Sequence, residues 1–133
     1  MTIVVGYTPS PAGRAALLAA AGVARERGRP LVVVNSSRGD ALSDPGYAQP
    51  ADLDWARTTL EEAGVEFSLR QEVRGLEASE EVLSVLDEVD AELCVIGLRR
   101  RTAVGKLLMG SNAHRILMDA PCPVLAVKGL PHE

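Results

Sequence analysis

The chain has 133 residues, 47% of them hydrophobic and 24% charged, with a net charge of −4. That length suits one domain around a single core, and that balance excludes a disordered or fibrous chain. Aromatic residues make up 3%, too few for modules that stack bases on aromatic platforms, and the acidic balance repels polyanions, so no nucleic acid is expected as a partner. Cys94 and Cys122 form neither a disulfide framework nor a metal-ligand spacing, and both read as reduced, buried small hydrophobes. No apolar run approaches a membrane span and no leader-like segment precedes the first strand, so a cytoplasmic domain without membrane association is expected.

TIVVGY, residues 2–7, is a short β-branched run and predicts a buried strand. Ser10 and Pro11 fit the cap and first position of a helix over 12–27, which Gly28 stops. PLVVVN, residues 30–35, predicts a second buried strand. Residues 36–50 are rich in Ser, Gly, Asp and Pro without periodicity, and a connection that long is expected to be mobile or functional. Helical spacing resumes over 52–63 and closes at Gly64, after which 65–73 alternates apolar and polar residues as a half-exposed edge strand does. Gly75 turns into a helix over 76–89, with Ser79 and the glutamates after it marking a start nearby. LCVIG, residues 93–97, is a fourth strand, an arginine loop follows, and a helix runs from about 111 to 118 before a fifth strand over 121–128.

Strands alternating with helices demand a mostly parallel sheet covered on both faces, because each right-handed crossover packs back onto the sheet. The predicted fold class is therefore α/β: one open, doubly wound, five-stranded sheet of order 3-2-1-4-5, a single domain over 1–133. In such sheets ligands bind beyond the carboxyl ends of the strands where the winding reverses. The loops after the first and fourth strands meet at that point.

The fourth-strand loop is GLRRRTAVGKLLMGS, residues 97–111. Gly97 would end the strand, permit a tight turn and let a ligand approach without a Cβ. At Gly110 and Ser111 the backbone N–H groups and positive end of the last helix would face an anion. Arg99, Arg100 and Arg101 could neutralise phosphate, as could Lys106 if turned inward. The bland alternative is ordinary punctuation: a strand-end glycine, a capping serine and a solvated basic loop.

Other chemistry finds no constellation. Gly105–Lys106 is followed by Leu107, which breaks a P-loop pattern. His114 near Ser111 has no strained nucleophile turn and no carboxylate orienter, so an outward or capping histidine is expected. Glu61, Glu62, Glu80 and Glu81 need only solvation, and Asp40, Asp44 and Asp52 lack calcium-loop spacing. Tyr47 and Trp55 are expected to pack or anchor the long loop, with a lid over the crevice as the alternative.

The residues resemble the universal stress protein family. Its nucleotide-binding members carry Gly, two residues, Gly, nine residues, Gly, then Ser or Thr; here the pattern runs Gly97, two residues, Arg100, nine residues, Gly110 and Ser111. VVGYTPSPAGRAAL, the Gly75 turn and DAPCPVLAVK also sit where that family has similar sequences. The resemblance implies an adenine nucleotide, ATP foremost, held by Tyr7, Thr8 and Pro9 after the first strand, backbone around Asn35 and Ser36, and Gly97, Arg99, Arg100, Gly110, Ser111 and Asn112. It also implies a regulatory homodimer paired through Val124, Leu125, Ala126 and Val127, acting on a protein partner that the residues do not identify. Arg100 replaces the middle glycine of the motif. Thr8, Pro9 and Ser10 stand where the family carries an aspartate, a glycine and a serine, which removes a hard oxygen ligand and argues against a magnesium-dependent site. No catalytic or metal residue is assigned, and slow ATP hydrolysis would lack an identifiable base. The competing expectation is a nucleotide-free interaction platform on the same dimeric fold.

Overall fold

The structure, a computed structural model, describes residues 1–37, 47–73, 77–100, 107–108 and 110–129, with backbone alone at 36–37, 72–73, 99–100 and 107–108. Asp40, Asp44, Gly75, Arg101 and Lys106 lie outside the described residues. The order is β1 (Thr2–Gly6), α1 (Pro11–Arg27), β2 (Leu31–Ser37), α2 (Pro50–Ala63), β3 (Phe67–Val73), α3 (Ala78–Glu88), β4 (Ala91–Arg100), β5 (Leu107–Leu108), α4 (Ser111–Asp119) and β6 (Val124–Lys128).

Local chemistry sets most of these boundaries. Ser10 caps α1 by accepting from the Gly13 N–H at 3.1 Å, with Pro11 in the first turn, and Gly28 closes it in the left-handed region at φ 65°. Gly64 closes α2 the same way at φ 72°. Ser10→Ala should cost about 1 kcal/mol, the usual value of such a cap, read as a lowered midpoint in thermal unfolding. At α3 the cap is Glu77 rather than Ser79: the Glu77 N–H donates to the Glu80 carboxylate at 3.2 Å, and Ser79 is buried inside the first turn. Glu81 is likewise buried at 1% exposure, correcting its reading as a solvated charge. Helix α3 turns that position inward together with Val82 and Val85.

Five strands run parallel in the order β3-β2-β1-β4-β6, the predicted order with β6 as the fifth. The two-residue β5 adds an antiparallel pairing, Arg99 against Leu108 and Arg100 against Leu107. The first arginines of the expected loop are therefore the tip of a strand. Chain direction across the sheet reverses between β1 and β4, which pair through Val4 with Cys94 and Val5 with Val95.

Strand alternation sorts the core into two layers. Ile3, Val5 and Tyr7 pack with α1 and α2, among Leu17, Ala20, Ala56 and Leu60. Val4, Val32 and Val34 pack with α3 and α4, among Val82, Val85, Leu86 and Ile116. Ala12, Ala16, Ala20 and Ala24 are all buried on α1, and their small side chains bring this helix close to the sheet. Cys94 is buried, and burial followed by its neighbour Cys122 pushes its thiol up to about 12, which keeps it protonated and inert. Cys122 is only half-buried, like the neighbouring edge strand β6, none of whose residues is fully buried. Among the described residues no helix is long and apolar enough to cross a membrane.

Candidate functional site

At the point of reversal the ends of β1 and β4 part around a crevice of about 140 Å³. Gly6 and Gly97 lie at its strand side, Tyr7 and Thr8 at the loop after β1, Ala78 and Val82 on α3, and Asn112, Ala113 and Ile116 on α4. The first turns of three helices contribute, since Gly13 of α1 lines it too. First-turn N–H groups and the positive helix end favour an anion. In α1 that capacity is partly used, because Ser10 takes the Gly13 N–H. In α3 the Ser79 N–H donates to Asn112 Oδ1 at 3.2 Å, an anchor that fixes the Asn112 amide with its NH2 as the remaining donor. In α4 the cap position is Gly110, and no described side chain caps the helix. Both Gly110 and Ser111 are exposed. A larger and more open hollow of about 560 Å³ lies beside them, bounded by His114, Arg115, Met118 and Asp119 of α4.

The predicted residues thus divide. Tyr7, Thr8, Gly97 and Asn112 share the crevice, whereas Gly110 and Ser111 border the other hollow, on the face of α4 that carries His114, Arg115 and Met118. Pro9 sits half-buried in the loop between β1 and α1. Ser36 pairs through its backbone with Glu72 in the β2–β3 ladder. Arg99 and Arg100 are placed by their pairing with β5, and their side chains lie outside the described residues.

Gly97 serves packing rather than a turn. It lies inside β4 with ordinary strand backbone, not at a tight turn. A Cβ there would strike the carbonyl of Ala12, with the Ala12 carbonyl carbon at 2.7 Å, so the missing side chain lets α1 seat on the sheet. Gly13 is bound by a similar contact: a Cβ would collide with the Thr8 carbonyl and lie 2.6 Å from Thr8 Oγ1. The loop after β1 folds back over the start of α1, where Thr8 Oγ1 and Ser10 Oγ are 2.8 Å apart.

Tyr7 and Asn35 carry their side chains to the α1/α2 face. The Tyr7 hydroxyl donates to the Asp52 carbonyl at 3.1 Å, and its ring stacks on Trp55 with centroids 6.1 Å apart. Arg14 lies over Trp55 at 5.7 Å and reaches the Asp52 carboxylate at 3.7 Å. Burial, then the charge of Asp52, push the Tyr7 hydroxyl above its ordinary value against an opposing pull from Arg14, so it remains a donor. Trp55 is therefore a packing residue rather than a lid. Buried Asn35 donates to the Tyr7 carbonyl at 2.9 Å and accepts from the Ala48 N–H at 2.9 Å and from Gln71 Nε2 at 3.1 Å. It ties the end of the long connection to β1. Tyr47, beside it, is half-buried. His114 is exposed on α4, as expected.

Among the described residues no three His, Cys, Asp or Glu side chains gather as a metal-holding group, and the crevice lining offers hydroxyls and amides rather than carboxylates.

The family model described as the universal stress protein family matches residues 1–128. The chain belongs to the universal stress protein family. A universal stress protein of Mycolicibacterium smegmatis is 47% identical over 130 residues, covering 98% of each chain. A universal stress protein structure from Archaeoglobus fulgidus superposes with a TM-score of 0.81 at 34% identity, covering 96% of this chain and 98% of that one. A second, a universal stress protein of the same organism in complex with dAMP, has a TM-score of 0.71 at 31% identity with the same coverage. In this universal stress protein the crevice lies where the winding of the sheet reverses, between β1 and β4. The chain lines it with residues whose contribution linear spacing did not reveal, among them Gly6, Val34, Ala78, Val82 and Ile96. The available signal was parity: Val4, Gly6, Val32 and Val34 alternate onto one sheet face.

Proposed function

We propose that this universal stress protein binds an adenine nucleotide at the crevice between the ends of β1 and β4, with ATP the first form to test. The observation that carries the reading is the convergence of three helix starts on that crevice, with no described side chain capping α4. The related Archaeoglobus fulgidus protein in complex with dAMP supports the choice of adenine. The role is regulatory, in the cytoplasm under stress, and occupancy changes partner recognition only to the extent that two surface states differ in nucleotide affinity. The working form is a homodimer paired through β6, where Val124, Leu125, Ala126 and Val127 lie on an edge paired only to β4 among the described residues, and Leu125 is 39% exposed. Thr8, a hydroxyl where the family carries a carboxylate, favours instead a nucleotide-free platform on the same fold.

Equilibrium binding of labelled ATP, AMP and dAMP, with and without magnesium, separates the two. Saturable micromolar binding that is indifferent to magnesium is the expected result; none at millimolar nucleotide leaves the platform. Gly110→Val is the companion variant. A Cβ at Gly110 meets nothing within 4 Å, so the fold should survive while the branch crowds the phosphate approach. Affinity should drop about tenfold or more, about 1.4 kcal/mol, while stability falls by no more than a poorer helix cap costs, about 1 kcal/mol. Equal affinity would make the start of α4 purely structural.

A further inference from the structure

Charge is unevenly placed along this chain. None of its 18 Asp and Glu residues falls between Glu92 and Asp119, whereas Arg99, Arg100, Arg101, Lys106 and Arg115 all do. A chain of net charge −4 therefore carries one basic stretch, whose local field opposes that of the whole. Backbone pairing brings part of it to one place. Arg99 and Arg100 end β4 against Leu108 and Leu107 of β5, and α4, which carries Arg115, begins three residues after β5.

Helix α4 presents two faces. Asn112, Ala113 and Ile116 line the crevice. Ser111, His114, Arg115 and Met118 recur at helical spacing on the other face and border the larger hollow. Among the described residues the two linings share none. All four residues of the outer face are exposed, and Met118, at 70%, is the most exposed of the large apolar side chains described. Arg115 donates through Nε to Asp119 Oδ2 at 3.1 Å. Among the described residues nothing takes the two terminal amino groups of its guanidinium, which keep four N–H donors for a further acceptor.

A guanidinium fork beside a bare methionine suits a ligand that is both anionic and apolar. A carboxylate accepts two parallel hydrogen bonds from such a fork, and an apolar side chain covers the flexible thioether. A small inorganic anion has no use for Met118, and a long polyanion would meet the negative field of the remaining chain.

We propose that the outer face of α4, centred on Arg115 and Met118, is a docking surface for an acidic segment of a partner protein that carries apolar side chains among its carboxylates. The inference goes beyond the nucleotide reading and does not depend on it, since the surface lies across α4 from the crevice. The partner is recognised on the same helix whose inner face lines the crevice.

The test is fluorescence anisotropy of the full chain with a labelled peptide of about a dozen residues, long enough to run the length of α4, in which Glu and Asp are interspersed with Leu. The same peptide with Lys in place of every acid is its counterpart. The wild type should bind the acidic peptide at least about tenfold more tightly than the basic one, and less tightly as salt rises. Arg115→Glu and Met118→Ser should each weaken it about tenfold at near-native thermal midpoints. Arg57→Glu, on α2, is the control for overall charge, its side chain being 50% exposed against 52% for Arg115, and it should bind as the wild type does. A wild type that binds neither peptide, or both alike, overturns the inference. So does unchanged affinity in folded Arg115→Glu or Met118→Ser, or an equal loss in Arg57→Glu. Duplex DNA that displaces the peptide would make the face a polyanion surface, and self-association lost in Arg115→Glu on sedimentation would give it to a second copy. Either result overturns the inference as well. Should Arg115→Glu unfold early through repulsion from Asp119, Arg115→Gln and Met118→Ser decide.

Discussion

Gly97→Ala is expected to lower stability by about 3 kcal/mol, the upper end of what overpacking ordinarily costs. The added Cβ meets backbone rather than the flexible end of a side chain: the carbonyl of Ala12 in the first turn of α1. Neither partner can give way easily. Gly97 is held in the β4–β6 ladder opposite Val127. Ala12 is buried, and α1 is clamped by the Ser10 cap at one end and by Ala16, Ala20 and Ala24 along the sheet. A shift of α1 would carry with it the loop after β1, which lines the crevice, so ligand affinity should fall together with stability. Urea unfolding measures the first and nucleotide titration the second. Gly22→Ala, in α1 and outside the crevice lining, is the control, since nothing lies near its added methyl. Equal midpoints for Gly97→Ala and the wild type would show that α1 can ride away from the sheet, and the account of close seating would be wrong.

Asn35→Ala should cost a comparable amount, about 3 kcal/mol, for a different reason. The side chain is 2% exposed and serves the Tyr7 carbonyl, the Ala48 N–H and Gln71. Removing it strands polar groups where water reaches poorly, and each orphan costs about 1–3 kcal/mol. Gln71 also donates to the Ala48 carbonyl at 2.7 Å, a contact that keeps part of the anchor and limits the loss. The chain's single tryptophan is a convenient reporter. Trp55 stacks on Tyr7, whose carbonyl Asn35 holds, so its emission should shift in the folded variant even before unfolding. A variant with native emission and native midpoint would mean that Gln71 alone secures the end of the long connection.

These two sites differ in how far they could be read from the residues. Ser10, Pro11, Gly28 and Gly64 announced helix ends correctly because caps act within a few residues of themselves. Alternation of apolar runs with helical spacing was enough for the α/β class, while the order 3-2-1-4-5 was one of several windings that alternation allows, and the strand pairings bear it out. Ser79 and the glutamates after it marked a helix start nearby, and α3 begins at Ala78, with Glu77 as the cap and Glu80 as its partner. The two-residue β5 was not legible, because a pair of leucines carries no period. Trp55 was open between lid and packing until its stacking partner was known.

What the amino-acid order determined by itself was the α/β class, the sequence of elements, the position of the switch point and membership of the universal stress protein family. All of these rest on short-range patterns or on resemblance along the chain. What only the tertiary structure decided was the purpose of individual residues at that point. Asn35 meets Tyr7 and Gln71 across 28 and 36 residues of chain. Gly97 and Gly6 are chemically identical, yet an added Cβ would strike helix backbone at the first and only touch side chains at the second. Which neighbour a side chain or its absence confronts is a property of packing between distant segments, and no local period encodes it.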